Sequence, residues 1–140
     1  MSIQVDIVCA EGHIHHGEAS MVFAPAEEGE VGIAPRHAPL LTRLKPGAVR
    51  VKQEDGKELA FFVTGGILEV QPNLVTVLAD SAKHAKDIDE AAAQKAKQAA
   101  EASMSNAKTE IDLAKAQQEL IQAAALAEFL EKVKKGHAHN

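Results

Sequence analysis

The chain has 140 residues, 46% of them hydrophobic and 25% charged, which fits one ordinary folded domain or a small domain with an appendage. Its four Phe, lack of Trp and Tyr, and formal charge of −5 disfavour nucleic acid as a partner, because stacking surfaces are scarce and phosphates are repelled. Cys9 is the single cysteine, and neither a signal peptide nor a transmembrane helix is recognisable, so we expect a soluble protein of a reducing compartment.

The composition changes sharply near Asp80. All five Pro and eight of the nine Gly precede this residue, whereas 17 of the 26 Ala follow it. Gly and Pro punctuate strands and turns, and Ala is the strongest helix former. The sequence therefore predicts a β-sandwich domain over residues 1–86 and an antiparallel helical hairpin over residues 87–140.

The first predicted strand covers residues 3–9, where Ile3, Val5 and Ile7 alternate with more polar neighbours. The same phase turns Cys9 inward, which favours an inert core thiol over a nucleophile.

A histidine cluster follows at His13, His15 and His16. In a regular strand His13 and His15 project from one face and could bind a metal ion. The sequence spacing puts no further metal-ligating residue near them. We interpret them as surface histidines of a turn and predict no metal site. No other pattern is typical of catalysis or of phosphate binding, so we predict no catalytic residue and no cofactor.

Residues 28–42 form an irregular run punctuated by Gly and Pro, in which charged and apolar side chains are interleaved. Loops that carry Leu40 and Leu41 beside Arg36 and His37 often contact a partner. Alternatively, the two leucines cap the core of the sandwich, and the residues alone leave both interpretations open.

Two β-hairpins are predicted before the composition changes. Asp55-Gly56 favours a two-residue type I′ turn ahead of a strand over 58–63, and Pro72-Asn73 separates strands over 67–71 and 74–79. With shorter β runs earlier in the chain, these spacings predict roughly eight to ten short strands in a sandwich or flattened barrel.

Helix signals begin at Asp87, which has the spacing of a capping box with Glu90. The first helix is predicted to run to about Ala102, where polar residues at 103–106 offer caps for a second helix that ends near Lys135.

The facing stripes of the two helices are largely alanine. The first helix offers Ile88, Ala92, Ala96 and Ala99, and the second offers Leu113, Ala116, Leu120, Ala123, Ala127 and Leu130. A buried Ala methyl stabilises by only ~0.8 kcal/mol. We expect either a weakly packed hairpin that can change its packing or a plain solubilising appendage.

Four segments give the chain a resemblance to a known family: GEVGIAPRHAPLLT at 29–42, KPG at 45–47, GGILEVQP at 65–72 and VTVLAD at 75–80. In this order and spacing the chain resembles the epsilon subunits of bacterial F-type ATP synthases over nearly its whole length. The resemblance implies a flattened β-sandwich of about ten strands followed by a helical hairpin. That agrees with the prediction from composition and periodicity.

The same resemblance implies a non-catalytic central-stalk subunit, peripheral on the cytoplasmic side of the bacterial inner membrane. In that family the sandwich grips the gamma shaft and rests on the membrane rotor c ring, so that proton-driven rotation reaches the catalytic head. By motif position, Glu30 and His37 correspond to the rotor-ring contacts.

The resemblance also implies that the C-terminal helices can extend into the alpha/beta catalytic head and block ATP hydrolysis. We expect three lysines, Lys132, Lys134 and Lys135, to pair with acidic groups there. Apolar anchors are expected from Leu120, Leu126, Phe129 and Leu130.

Some family members bind ATP on the folded hairpin through an Ile/Leu-Asp-x-x-Arg-Ala motif. Ile88 and Asp89 match its start, but Ala92 stands where the Arg would be, and the helical part contains no Arg at all. Without a guanidinium to hold phosphate, Ile88 and Asp89 are at most weak ATP contacts. Two rival functions remain open, a free-standing binding protein that dimerises through its helices and an enzyme that uses the cluster from His13 to His16.

Overall fold

A computed structural model describes the backbone of residues 1–139 and the side chains of residues 1–134. The chain divides into two compact units, Met1–Lys86 and the segment from Asp87 onward. The first is a ten-stranded sandwich and the second is a pair of helices, so the predicted fold class is confirmed. The strands are β1 Ile3–Cys9, β2 Gly12–Ala19, β3 Met21–Ala26, β4 Gly29–Ile33, β5 Leu40–Leu44, β6 Gly47–Lys52, β7 Glu58–Val63, β8 Gly66–Gln71, β9 Leu74–Ala79 and β10 Ala82–His84.

Hydrogen bonding joins the strands in the order β10-β7-β6-β3-β5-β8-β9-β1-β2, and β4 pairs with β3 at the side of this path. All pairs are antiparallel except β1 with β9. The curled sheet encloses a core whose largest fully buried side chains include Phe61, Ile3, Ile7, Ile33 and Leu68. The alternation predicted for the first strand is confirmed.

Cys9 is buried, as its strand phase predicted, with Sγ 3.0 Å from Oε2 of Glu11.

The two predicted β-hairpins are present, but their turns differ. Gln71 pairs with Leu74 across a two-residue turn, as predicted.

The type I′ turn predicted at Asp55-Gly56 is wrong. The ladder of β6 and β7 stops at Lys52 and Glu58, which leaves a five-residue loop, and only Gly56 in it has positive φ, at 90°. The Asp55 side chain instead accepts a hydrogen bond from the backbone N–H of Lys57 at 3.0 Å. This local bond stabilises a longer loop than the dipeptide suggests.

The second unit consists of α1 (Glu90–Ser105) and α2 (Glu110–His139). The predicted cap at Asp87 is wrong, because this residue lies in a short 3₁₀ turn over Ala85–Asp87. Asp89 caps α1 instead, accepting from the N–H groups of Ala91 and Ala92.

The second helix also begins later than predicted. The Oγ1 atom of Thr109 accepts from the N–H of Asp112 at 3.0 Å, so Thr109 is the cap rather than a residue of 103–106.

The apolar face predicted for the first helix is displaced by one position. Ala93 and Ala100 are buried, whereas Ala92, Ala96 and Ala99 are exposed. Because alanines lie on all sides of α1, the sequence is compatible with several apolar faces. The face that is buried in the structure includes the half-buried Met104. In α2 the predicted alanines Ala116, Ala123 and Ala127 are buried, but Leu113 is 38% exposed.

Candidate functional site

The loop between β4 and β5, residues 34–39, is irregular, but backbone hydrogen bonds hold it in place. The N–H of Arg36 donates to the carbonyl oxygen of Pro72 at 2.9 Å, and the N–H of His37 donates to that of Ala34 at 3.1 Å. Arg36 has φ 67°, a left-handed conformation that is uncommon for a residue with a Cβ. This loop, called the contact loop below, is therefore a defined surface feature.

His37 lies in the contact loop with its Nδ1 atom 2.7 Å from the carbonyl oxygen of Ala38. A carbonyl oxygen only accepts, so Nδ1 carries the hydrogen and Nε2 is left as an acceptor when the ring is neutral. The ring is thus oriented by its own loop, with one nitrogen available to a partner.

Glu30, the other predicted rotor contact, lies on β4 opposite Pro25. Its Oε1 atom is 3.3 Å from a guanidinium nitrogen of Arg50 on β6. Among the side chains that the structure describes, no hydrogen bond or ion pair joins Glu30 to His37, so each is held by its own surroundings.

Of the two interpretations left open by the sequence, Leu40 fits the one in which it caps the core, and Leu41 fits the one in which it is exposed to a partner. Leu40 is half-buried and packs against the sandwich core, whereas Leu41 is 70% exposed. With Pro39 they form one wall of an open groove of about 280 Å³, whose other wall is Glu69, Val70 and Gln71 on β8. One leucine caps the core and the next is offered to solvent, as alternation along a strand requires.

An apolar row on the outer face of the sheet was not predicted from the sequence. Ile67 on β8 lies opposite Leu78 on β9, which lies opposite Val8 on β1. Ile67 and Leu78 are 44% and 47% exposed, and Val8 is half-buried. The signal was present as apolar residues at the outward positions of three predicted strands. We call these three residues the outer row.

The histidine cluster does not share one face. A β-bulge between Ile7 and Val8 sets His15 opposite the inward-facing Ile7 and His13 opposite the outward-facing Val8. The extra residue is Ile14, which lies in β2 between the two histidines and has no partner on β1. Alternation along a sequence does not reveal such an insertion, so the shared face expected for His13 and His15 is wrong.

His15 is also half-buried rather than a surface residue of a turn. Its ring centre lies 5.2 Å from that of Phe61, and the ring centre of His84 lies 4.8 Å from that of Phe61. The buried Nε2 of His15 has no hydrogen-bond partner in the described structure. Burial lowers the pKa of His15 below its ordinary value of 6.5, with further lowering by His84 and His16 and an opposing effect of Asp6.

Among the described residues, no three His, Cys, Asp or Glu side chains are grouped as metal ligands. In the same part of the chain, no helix combines the length and apolar character needed to cross a bilayer.

In the hairpin, the predicted apolar anchors are covered. Phe129 is buried and the other three, Leu120, Leu126 and Leu130, are half-buried. Two of the predicted lysines form exposed ion pairs: Lys132 lies 3.1 Å from Glu128, and Lys134 lies 4.0 Å from Glu90. The side chain of Lys135 lies outside the described residues.

The predicted weak ATP contacts lie at the start of α1. Ile88 is half-buried, and the Oδ1 atom of Asp89 already accepts from the N–H of Ala91 at 2.9 Å. This carboxylate is occupied by helix capping.

The fold defines the class of protein to which this chain belongs. The sandwich matches the family described as ATP synthase, Delta/Epsilon chain, beta-sandwich domain, over residues 2–85, and the helices match its long alpha-helix domain over residues 86–126. A solved chain from the mitochondrial ATP synthase of Euglena gracilis, in an OSCP/F1/c-ring structure, has the same fold with a TM-score of 0.80 and 23% identity, covering 89% of this chain and 79% of that one.

Curated relatives narrow the class. The ATP synthase epsilon chain 1 of Methylococcus capsulatus is 56% identical over 99% of both chains, and the ATP synthase epsilon chain of Alkalilimnicola ehrlichii is 55% identical over 96% of both. The chain belongs to the epsilon-chain family of ATP synthases. Such a chain is a stalk subunit of the complex rather than the catalytic one, so neither rival function is retained.

Proposed function

We propose that this chain is a rotor subunit of the central stalk of a proton-translocating F-type ATP synthase, coupling the gamma shaft to the membrane c ring and restraining ATP hydrolysis through its hairpin. The observation that carries the proposal is its 56% identity to an ATP synthase epsilon chain over 99% of both chains. This role implies a peripheral position on the cytoplasmic side of the bacterial inner membrane.

Contact with the c ring is assigned to Glu30 and His37. Support comes from the backbone bonds that fix the contact loop and from the single orientation of the His37 ring. A carboxylate and an imidazole that are held in place before contact lose little conformational entropy when a partner binds. Polar contacts of this kind suit a surface that must bear torque without a large apolar interface.

Contact with the gamma shaft is assigned to the outer row. Val8, Ile67 and Leu78 are neighbours on three adjacent strands, so they form a continuous apolar strip on a rigid sheet. Clustered apolar side chains on an outer face are typical of a protein interface. Arg43, which pairs with Ile67 across β5 and β8, adds a cation at the end of the strip.

Inhibition is assigned to α2 in an extended state that reaches the alpha/beta catalytic head. The anchors Leu120, Leu126, Phe129 and Leu130 are covered in the folded hairpin, so extension exchanges one set of contacts for another. In the folded hairpin most of the buried side chains are alanines, so little free energy is lost when the two helices separate. Lys132 and Lys134 are exposed, and Lys135 continues the basic run in sequence.

The isolated chain should bind ATP weakly or not at all. Asp89 is engaged as the cap of α1, and the helical part has no Arg. Isothermal titration with millimolar ATP checks this expectation, and micromolar affinity would contradict it.

Removal of residues after Ser105 tests inhibition. In the assembled complex we expect a higher rate of ATP hydrolysis, because the inhibitory helix is gone while the sandwich remains. Equal hydrolysis rates with and without the helix, at equal assembly, would remove inhibition from the proposed function.

Replacement of both Glu30 and His37 by Ala tests coupling. We expect ATP-driven proton pumping by membrane vesicles to fall relative to ATP hydrolysis, with normal assembly of the complex. Lys57→Ala, in the loop between β6 and β7, is a control for an exposed charge elsewhere on the sandwich. Unchanged pumping in the double variant would remove both residues from the site.

A further inference from the structure

Arg50 connects three strands on the outer face of the sandwich. Its backbone on β6 pairs with Phe23 on β3, and its guanidinium carbon lies 4.3 Å above the centre of the Phe23 ring. One terminal nitrogen lies 3.3 Å from Oε1 of Glu30 on β4, and the other lies 3.3 Å from Oε1 of Glu58 on β7. The guanidinium is therefore held on its face and at both ends.

This arrangement uses properties that are special to arginine. A planar guanidinium can stack on an aromatic ring while its two ends donate in different directions, whereas an ammonium is a point charge. Because Phe23 and two carboxylates constrain the plane of Arg50, the direction in which it donates to Glu30 is defined. An exposed ion pair adds little to folding stability on its own.

Glu30 needs such a constraint because of its position. Its strand β4 pairs only with β3 among the described strands, and its opposite residue is Pro25, whose side chain has no polar group that could bind the Glu30 carboxylate. The Glu30 side chain is 55% exposed, so without Arg50 its carboxylate would sample several rotamers. With Oε1 bound by Arg50, Oε2 keeps its capacity to accept a hydrogen bond.

We propose that Arg50 is a positioning residue that fixes the Glu30 carboxylate for its contact with the rotor ring, presenting Oε2 to a hydrogen-bond donor on the ring. The inference rests on the proposed role of Glu30. It adds a residue that lies outside the contact loop and acts through another side chain.

The experiment measures ATP-driven proton pumping per ATP hydrolysed in membrane vesicles that contain the assembled complex. Arg50→Gln should lower this ratio by roughly 2- to 10-fold, the lower part of the range expected for coupled neighbouring side chains. Glu30→Gln should lower it similarly, and the double variant should be no worse than the poorer single variant. Lys52→Gln, which removes a cation from the same strand, should leave the ratio unchanged.

Two further variants separate positioning from a purely structural ion pair. Arg50→Lys keeps the charge but loses the planar fork, so it should not restore coupling. The exchange of both charges, Glu30→Arg with Arg50→Glu, restores an ion pair but offers the ring a cation, so coupling should stay low. Recovery of coupling in either variant would overturn the inference, because charge or the ion pair alone would then suffice.

The outcomes also distinguish this inference from the proposed function on which it rests. If Glu30→Gln leaves coupling intact, the role of Glu30 is wrong. If Glu30→Gln impairs coupling and Arg50→Gln does not, only the positioning role is wrong. Thermal unfolding of each variant chain, measured alongside, should show that the sandwich remains folded.

Discussion

The sandwich and the hairpin are stabilised by different kinds of side chain. In the sandwich, large aliphatic and aromatic residues such as Phe61, Ile7 and Leu68 are fully buried, and each contributes about 1.5–3 kcal/mol by leaving water. In the hairpin the buried residues are mostly alanines, with Phe129 as the large exception. The sandwich is thus specified by its core, whereas the helices depend on their own propensity and caps.

This difference suits the two proposed tasks. A subunit that transmits torque needs contact residues on a scaffold that does not rearrange, and the contact loop, Arg50 and the outer row all belong to the sandwich. A regulatory element needs two arrangements of similar free energy, and α1 and α2 retain their helices whichever surface they pack against. The contrast yields predictions that differ in size between the two units.

The largest effect is expected in the sandwich core. Phe61→Ala should destabilise the sandwich by about 3–5 kcal/mol, because it leaves a cavity in a fully buried site and removes the ring that contacts His15 and His84. Urea unfolding of the chain measures the change. A loss below about 1 kcal/mol would show that the core does not carry the stability assigned to it.

The sequence was most informative where one strong pattern excluded alternatives. Alternation at Ile3, Val5 and Ile7 fixed a strand and its inward face, and the change from Gly and Pro to Ala separated sandwich from helices. It failed where patterns were degenerate or where a partner strand decided the outcome. Alanine on all sides of α1 left its packed face undefined, and the bulge in β2 separated His13 from His15.

The candidate site was predictable only in part. Glu30 and His37 came from family resemblance, and no local pattern linked either to its surroundings. Arg50 lies 20 residues from Glu30 in sequence, so their contact depends on the pairing of β3 with both β4 and β6. Such cross-strand neighbours require the topology, which composition and periodicity do not supply.

A smaller effect is expected in the hairpin. Asp89→Ala should destabilise α1 by about 1 kcal/mol, because it removes the acceptor for the N–H groups of Ala91 and Ala92. Amide hydrogen exchange over residues 90–105 reports the change. Asp87→Ala is the matched control, since Asp87 precedes the helix, and an equal effect of both substitutions would argue against Asp89 as the cap.

The pH dependence of the sandwich provides a third test. Because folding lowers the pKa of His15, the unfolded chain binds more protons than the folded chain just below pH 6.5. The contribution of His15 to the free energy of unfolding is therefore fully present above pH 6.5 and is lost as the pH falls below that value. His15→Leu should abolish this part of the acid destabilisation, whereas His13→Leu, at an exposed position, should not. Equal slopes of unfolding free energy against pH in the wild type and His15→Leu would contradict the assignment.

The smallest effect is expected from removing the whole helical unit. Every buried member of the core cluster of the sandwich lies between Ile3 and Ala82, so a chain that ends at Lys86 retains all of them. Its free energy of unfolding should therefore change by less than about 1 kcal/mol, far less than the change caused by the single substitution Phe61→Ala. Thermal and urea unfolding of the 1–86 fragment measure this directly, with the full chain as the reference. A fragment that lacks a cooperative transition would show that the sandwich depends on the helices for its stability, and the division of labour between a rigid coupling unit and a rearranging hairpin would then have to be abandoned.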